Sequence, residues 1–534
     1  MTIHRFPSCS IALAILLGTM GATASSFLMG QPTIVTTSPA SSSLVTTAPN
    51  VRDVHAGRAL RNALNVPLRG GSQHRDLKPR VRASPAAADG EPSTSSNEQT
   101  IATATFNLIK GCMGAGVLSL PAGVAAMGDV PKAMIPACAI FVTLGTISAY
   151  TFHLIGRIVQ VANSESSGSS SEAKVTSLGQ LWDKEIGPST SWLITLACFL
   201  VCYGTCLAYS IVLGDTFRSL AESAGLKGML ASREANVAVI SLFGVYPLCT
   251  LKSLAALKPV SIIGNIGLLT TALVMTIRAL PGGAYSAASS ATNYLATLPL
   301  TLHPSFGVIG LRKLSSTLVL SSMAATAFLV HMAGPEFYQT LEKRSIKRFG
   351  VLSTLGFSSV LALSAYMMCV GFLTFGGSCK GMILNNYSTL DPGATLCRFL
   401  MGIALLGSYA FIGNVMKSSF NQLIYKGKEI TDEIQKKTTQ ALVGTITALA
   451  LVLNDAGFVV SFTGALLGSA LIYIIPPLLF LKSTKRRIDN GSLASTSTLK
   501  IERFWNRFLI VLGVFLALAG GSMTVVNSFF PHLL

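Results

Sequence analysis

Asn107-Leu-Ile-Lys110-Gly111-Cys-Met-Gly114-Ala-Gly116-Val-Leu-Ser-Leu-Pro121 lies inside an apolar run that extends from 101 to 126. Three glycines and a proline in one such run propagate a helix poorly, and glycine leaves the backbone free to unwind. In a bilayer, unwound backbone persists only where protein or a polar cavity satisfies its N–H and C=O groups. Membrane proteins use such breaks to build sites, with a half-helix N-terminus facing an anionic group and freed carbonyls facing a cation. The competing reading is a packing face, Gly111-x-x-Gly114 or Cys112-x-x-x-Gly116, which small residues in membrane helices also serve. Spacing alone leaves both open.

Outward from that stretch the whole chain reads as membrane-embedded. Of 534 residues, 50% are apolar and 12% charged, and the mean hydropathy is +0.57, whereas soluble chains carry about 25% charged residues. Eleven apolar segments follow one another at 101–126, 132–158, 189–214, 235–251, 256–277, 317–340, 350–375, 395–424, 438–454, 457–481 and 505–528. Most approach the ~20 residues that cross a bilayer as helix. The fourth and ninth are the shortest and most interrupted. The expectation is an all-α polytopic membrane protein with eleven transmembrane helices over 100–528.

Lys and Arg favour the cytoplasmic-type side of short loops. With the start of the first helix inside, the inner loops hold clusters such as Lys343, Arg344, Lys347 and Arg348, then Lys417, Lys426, Lys428, Lys436 and Lys437, then Lys482, Lys485, Arg486 and Arg487. The outer loops hold fewer than half as many basic residues, Lys132, Arg218, Arg278, Lys380 and Arg398 among them. This asymmetry accounts for most of the net charge of +18 without a nucleic-acid partner.

The first hundred residues read as targeting sequence. Arg5 precedes a short apolar run, 11–20, and then Ala22-Thr-Ala24-Ser-Ser26-Phe27 offers the small residues of a cleavage site, so 1–27 is taken as a signal peptide. Residues 28–99 are rich in Ser and Thr, with Arg52, Arg58, Arg61, Arg69, Arg75, Lys78, Arg80 and Arg82 against Asp53 and Asp76. That is transit-peptide chemistry, ending in a linker through Pro85 and Pro92. Together the two parts resemble the bipartite presequence of algae with secondary plastids. A plastid envelope is then the expected destination, with a plasma membrane or endomembrane reached by the secretory route as the alternative.

The quoted first-helix stretch resembles the signature of the amino acid/auxin permeases, amino acid transporters of the membrane. Further matches recur in order: Tyr209 to Asp215, Pro247-Leu-Cys-Thr-Leu251 before Leu257-Lys-Pro-Val-Ser261, Ala327-Phe-Leu-Val-His331, Gly371-Phe-Leu-Thr-Phe-Gly376, Asn385-Asn-Tyr387 and Ile475-Pro-Pro-Leu-Leu479. The resemblance spans about 100–528. It implies an inverted repeat of five plus five helices, with the first and sixth discontinuous and facing each other at mid-membrane. The eleventh helix stands outside the repeat. It further implies secondary active symport of amino acids by alternating access, with Gly111, Cys112, Met113, Gly114, Ala115 and Gly116 contacting the substrate from the first helix. Thr326, Ala327 and Phe328 would do so from the sixth, and Tyr203 or Tyr209 would gate from the third.

Coupling to H⁺ or Na⁺ stays open. Sodium-coupled members of this fold place the ion between the first helix and a hydroxyl of the eighth, here Ser408, yet the proline often found just after that position is Ala410. Asn107, Lys110 and His331 complete the candidate ion-coupling set. Lys110 lies about 15 Å into its helix at 1.5 Å per residue. Its ammonium either replaces a sodium ion, or releases a proton, or snorkels to the interface. His331 either titrates or bonds across helices. No Asp or Glu lies deep in a segment by this reading.

Cys198, Cys202 and Cys206 share one helix face and read as small packing residues rather than metal ligands. Cys379 and Cys397 flank an outer loop and are candidates to pair in an oxidising compartment. Without a Walker loop, nucleophile elbow or His-Glu-x-x-His motif, neither an enzyme nor an ATP-driven pump is expected, and no cofactor is called for. An amino-acid sensor on the same fold, binding without net transport, is the alternative function.

Overall fold

The computed structural model describes residues 98–166, 174–250, 258–280, 282–285, 293–308, 310–311, 314–425 and 430–530. The leader reading therefore falls, apart from its last two residues, outside the described residues. Within them the secondary structure is helical, with three isolated β-bridges.

Helix α1, Ile101–Cys112, starts at Thr100, whose hydroxyl accepts from Thr103 N, as an N-cap should. It ends at Met113, and α2, Ala115–Met127, begins after Gly114 with no side-chain cap. The two axes bend by 51°, so the first apolar run is broken as its glycines predict. Pro121 is not at the break: it lies inside α2. A membrane helix tolerates an internal proline when neighbours compensate, and here a Cβ on Gly371 would stand 2.7 Å from Pro121 Cγ, so the ring packs directly against another helix.

The remaining helices are α3 Met134–Ser166, a short α4 Leu178–Glu185, α5 Ser191–Ser223, α6 Arg233–Ile240, α7 Tyr246–Thr250, α8 Lys258–Ala279, α9 Thr317–Ala327, α10 Gly334–Thr340, α11 Ile346–Phe375, α12 Pro392–Tyr425, α13 Asp432–Val452, α14 Ala456–Thr463, α15 Ile475–Asp489 and α16 Ser497–Phe529. Each of the eleven apolar segments carries helix over its described residues. Eight helices among the described residues are long and apolar enough to cross a membrane, nine when the bent α1–α2 pair is counted as one span. The helix of the fourth segment falls short because Arg233, Glu234 and Asn236 open it; a π-helical turn, Ser241–Val245, continues it. The ninth falls short because α13 begins Asp-Glu-Ile-Gln-Lys-Lys.

The sixth segment is interrupted too: α9 stops at Ala327, Phe328–Val330 leave the helix, and α10 restarts with Pro335 in its first turn. The two breaks meet. A Cβ on Gly116 would lie 3.3 Å from Ala327 N and 3.6 Å from Thr326 C, so glycine permits the α2 backbone to touch the end of α9.

Helix α14 is pressed onto α9 in the same way. A Cβ on Gly464, the residue after α14, would stand 2.0 Å from the Ser322 carbonyl and 2.3 Å from Thr326 Oγ1, and the carbonyl cannot swing aside. Gly464→Ala is expected to cost about 1–3 kcal/mol by overpacking. A thermal-unfolding midpoint in detergent no lower than wild type would contradict this.

Several charges assigned to loops belong to helices. Lys417 is buried in α12 and donates to the Cys249 carbonyl. Arg398, also in α12 and 1% exposed, donates to the carbonyls of Leu384 at 2.9 Å, Tyr387 at 2.6 Å and Ser388 at 3.2 Å. Helical carboxylates paired with arginines are present as well. Asp215 in α5 accepts from Arg233 Nε at 3.1 Å and Asn385 at 3.0 Å, and Glu502 in α16 pairs with Arg157 of α3. Arg233 is neutralised by Asp215 and also donates to Asn454 Oδ1 and to the carbonyls of Ala450 and Leu453, whereas the Arg398 guanidinium is held through its terminal nitrogens by backbone carbonyls. Cys379 and Cys397 are free thiols, not a disulfide.

Candidate functional site

The facing breaks enclose a cavity lined by Gly111, Cys112, Gly114, Ala115 and Gly116 from the first segment and by Thr326, Leu329 and Met332 from the sixth. Gly204, Thr205, Ala208 and Tyr209 of α5, Ile412 of α12, and Val460 and Thr463 of α14 complete the wall. It leaves about 20 Å³ for the centres of water-sized molecules, room for roughly one or two waters. An amino acid does not fit without movement of the wall.

Two helix ends give the cavity its polarity. The α2 N-terminus begins at Gly114 with free backbone N–H groups, a ready anion site. The C-terminal end of α9 presents the negative end of its dipole from the opposite side, which favours a cation. Tyr209, 4% exposed, lies over the break: a Cβ on Gly114 would stand 2.1 Å from its hydroxyl oxygen and 2.8 Å from Cζ. Gly114 has φ −137° and ψ −150°, extended backbone open to any residue, so glycine is needed here for space alone. The Thr326 hydroxyl donates to Val460 O at 2.7 Å, tying α9 to α14. No charged side chain lines the cavity.

Seven of the expected substrate-contacting residues line this space: Gly111, Cys112, Gly114, Ala115, Gly116, Tyr209 and Thr326. Four do not. Met113 turns its sulfur toward Ser364 Oγ of α11 at 3.8 Å. Phe328 is fully buried between Phe141 and Phe357, at centroid distances of 4.8 and 6.4 Å. Ala327 meets Gly116 through its backbone, and Tyr203 packs on Phe199 at 5.9 Å. Gly204, Leu329, Met332, Ile412, Val460 and Thr463 were not legible in the sequence, since small and apolar residues on buried helices look the same whether they line a pocket or pack.

The four ion-coupling candidates do not converge. Asn107 donates to Gln99 Oε1 at 3.0 Å, at the end of α1 remote from the break. His331 is fully buried against α3, its Nε2 at 3.0 Å from both Ser148 O and Thr151 Oγ1. It bonds across helices and does not line the cavity. Lys110 reaches the eighth segment next to Ser408: its Nζ lies 4.0 Å from where a Cβ on Gly407 would sit, and Ser408 is buried. Lys110 is in the last turn of α1, where the helix dipole favours its positive charge.

On either side of the cavity the structure differs. Next to the start of α1, Gln99 N donates to Thr340 O at 2.6 Å and Glu342 N to Gln99 O at 2.9 Å, and Glu98 pairs with Arg344 at 3.7 Å. These contacts fasten the first broken segment to the end of α10. On the face of the outer loops, a polar cavity of about 960 Å³ is lined by Asp215, Arg233, Lys380, Asn385, Arg398 and Asp455, among others.

Residues 97–526 match the family model described as transmembrane amino acid transporter protein. The sodium-coupled neutral amino acid transporter 7 of Mus musculus is 23% identical over 481 residues, which cover 86% of this chain and 93% of that protein. The vacuolar amino acid transporter 5 of Schizosaccharomyces pombe is 22% identical over 423 residues, 77% of this chain and 91% of that one. Among solved structures, MhsT in complex with L-phenylalanine is similar at a TM-score of 0.43 and 14% identity, over 79% of this chain and 97% of that chain.

Proposed function

The chain belongs to the transmembrane amino acid transporter family, and on that premise we propose that it carries neutral amino acids across its membrane by secondary active transport, through the cavity between the two broken segments. It is an integral multi-pass membrane protein and a transporter rather than an enzyme. The single observation that carries the site is the meeting of the breaks, Gly116 against Ala327, with an uncapped helix N-terminus on one side and a helix C-terminal end on the other. A zwitterion matches this pair: the carboxylate to the α2 N-terminus, the ammonium to the end of α9. The walls favour neutral side chains, because a charge buried there without a partner costs several kcal/mol.

Alternating access is the proposed mechanism, within eleven spans arranged as a five-plus-five inverted repeat. The contacts of Gln99 with Thr340 and Glu342 close one side, and the polar cavity by Asp215 and Arg233 serves as the vestibule on the other. For coupling, the Lys110 ammonium beside Gly407 and Ser408 supports a proton gradient over sodium, since a fixed cation already stands between the first segment and α12. The name of the mouse relative supports sodium instead.

Purified full-length protein in proteoliposomes decides among these. Labelled alanine is expected to accumulate under an inward proton gradient and not under a sodium gradient alone. Accumulation that requires sodium would overturn the coupling assignment, and binding without flux under either gradient would make the protein a sensor. The leader supports a plastid envelope as destination, whereas the yeast relative is vacuolar by name. One cut near Ser26 in the mature protein would mark the secretory route alone, and a second before Thr100 an organelle.

A further inference from the structure

Five residues along α5 from Tyr209, about 7.5 Å at 1.5 Å per residue, the cavity is lined by Gly204. There the side chain of Thr463 from α14 packs against α5. A Cβ on Gly204 would stand 2.5 Å from Thr463 Oγ1, 3.1 Å from Cγ2 and 3.4 Å from Cβ, so the threonine lies flat on the α5 backbone. Both residues line the cavity. We propose that Thr463, seated on Gly204, is the specificity-determining residue that sets the largest amino acid side chain the cavity accepts. The proposal rests on the amino acid site described above.

Three features make this contact a stop rather than ordinary packing. The carboxylate is proposed to sit at the α2 N-terminus beneath Tyr209, so a substrate side chain directed along α5 meets Gly204 and Thr463. Thr463 is β-branched and restricted in χ1 within a helix. Its backbone cannot retreat, because the next residue, Gly464, is already pressed against Ser322 O and Thr326 Oγ1. The hydroxyls of Thr205 and Thr326 are tied to backbone carbonyls, Val201 O at 2.8 Å and Val460 O at 2.7 Å, and do not shape this end.

One methylene gained or lost in a fitted pocket changes selection by about 10-fold or more. Uptake of labelled alanine and leucine into proteoliposomes of the full chain gives the readout as a ratio. Wild type is expected to favour alanine. Thr463→Ala, which removes Oγ1 and Cγ2, is expected to raise the leucine-to-alanine ratio about 10-fold. Thr463→Ser is expected to shift it less in the same direction, and Thr463→Val, nearly isosteric, to leave it unchanged. An unchanged ratio in Thr463→Ala overturns the proposal, and where that variant inserts poorly the serine variant decides on the same criterion. Wild-type vesicles that carry neither amino acid would instead overturn the transport reading itself, a result distinct from an unchanged ratio.

Discussion

Gly114→Leu is expected to abolish amino acid uptake while the protein still inserts and elutes as a single species. The Tyr209 hydroxyl oxygen lies 2.1 Å from where even a first carbon would be placed, and a leucine side chain exceeds the free space of about 20 Å³ around it. Because Gly114 is extended rather than left-handed, the substitution strains no backbone dihedral. What it displaces is Tyr209, from the backbone N–H groups proposed to hold the carboxylate. Misplacing a positioning group by about 1 Å can cost 100-fold in rate, so even Gly114→Ala is expected to lower initial uptake by about that factor. The cost to folding is smaller, about 1–3 kcal/mol for an overpacked site. The pair of measurements is uptake in proteoliposomes and the thermal midpoint in detergent. Uptake by the leucine variant at the wild-type rate would remove the cavity from the transport path.

The break that Gly114 opens was legible from the sequence because its cause is local. Glycines at 111, 114 and 116 remove the side chains that hold a helix, and the helix stops at Met113, whose N–H still donates to Ile109 O, with Gly114 extended before α2 begins. Pro121 misled: a proline deletes one hydrogen bond, which a packed membrane helix can absorb, whereas consecutive non-helical residues free several groups at once. The sixth-segment break has no such local cause. Phe328, Leu329 and Val330 are apolar and unremarkable in sequence, and the resemblance alone suggested an interruption there. One physical signal was available, Gly334-Pro335, since a proline in the first turn marks a helix start.

Buried charge was the least legible feature. Arg398 and Lys417 fall near the ends of the apolar segment 395–424 and were counted with the loops beside it, and Glu502 lies just before the segment 505–528. The helices run past them because the protein supplies partners the sequence does not display: three carbonyls between Leu384 and Ser388 for Arg398, the Cys249 carbonyl for Lys417, Arg157 for Glu502. The Lys417 and Glu502 partners lie far away in the chain, and those of Arg398 sit in the loop just before its own helix. His331 shows the reverse. As an ionisable residue within a membrane segment it is a functional candidate by default, but its Nε2 meets Ser148 and Thr151 of α3, and its ring packs at 5.7 and 5.9 Å from Phe152 and Phe357.

Lys110 is the intramembrane cation that geometry places at a working position, and Lys110→Met tests it with a side chain of similar length and no charge. In wild type the ammonium stands at the C-terminal end of α1 and beside Gly407 of α12. Losing it leaves the negative end of the α1 dipole facing α12 without a cation, in surroundings where electrostatic interactions are strong. Concentrative uptake under a proton gradient is expected to fall at least about 10-fold, the equivalent of 1.4 kcal/mol of lost coupling. If the vacated place accepts sodium, uptake by the variant will recover when sodium is added, and this recovery is the more decisive outcome, because a snorkelling lysine has no ion site to vacate. Unchanged uptake with unchanged ion dependence would mean that the Lys110 head reaches the interface and that coupling resides elsewhere in the protein.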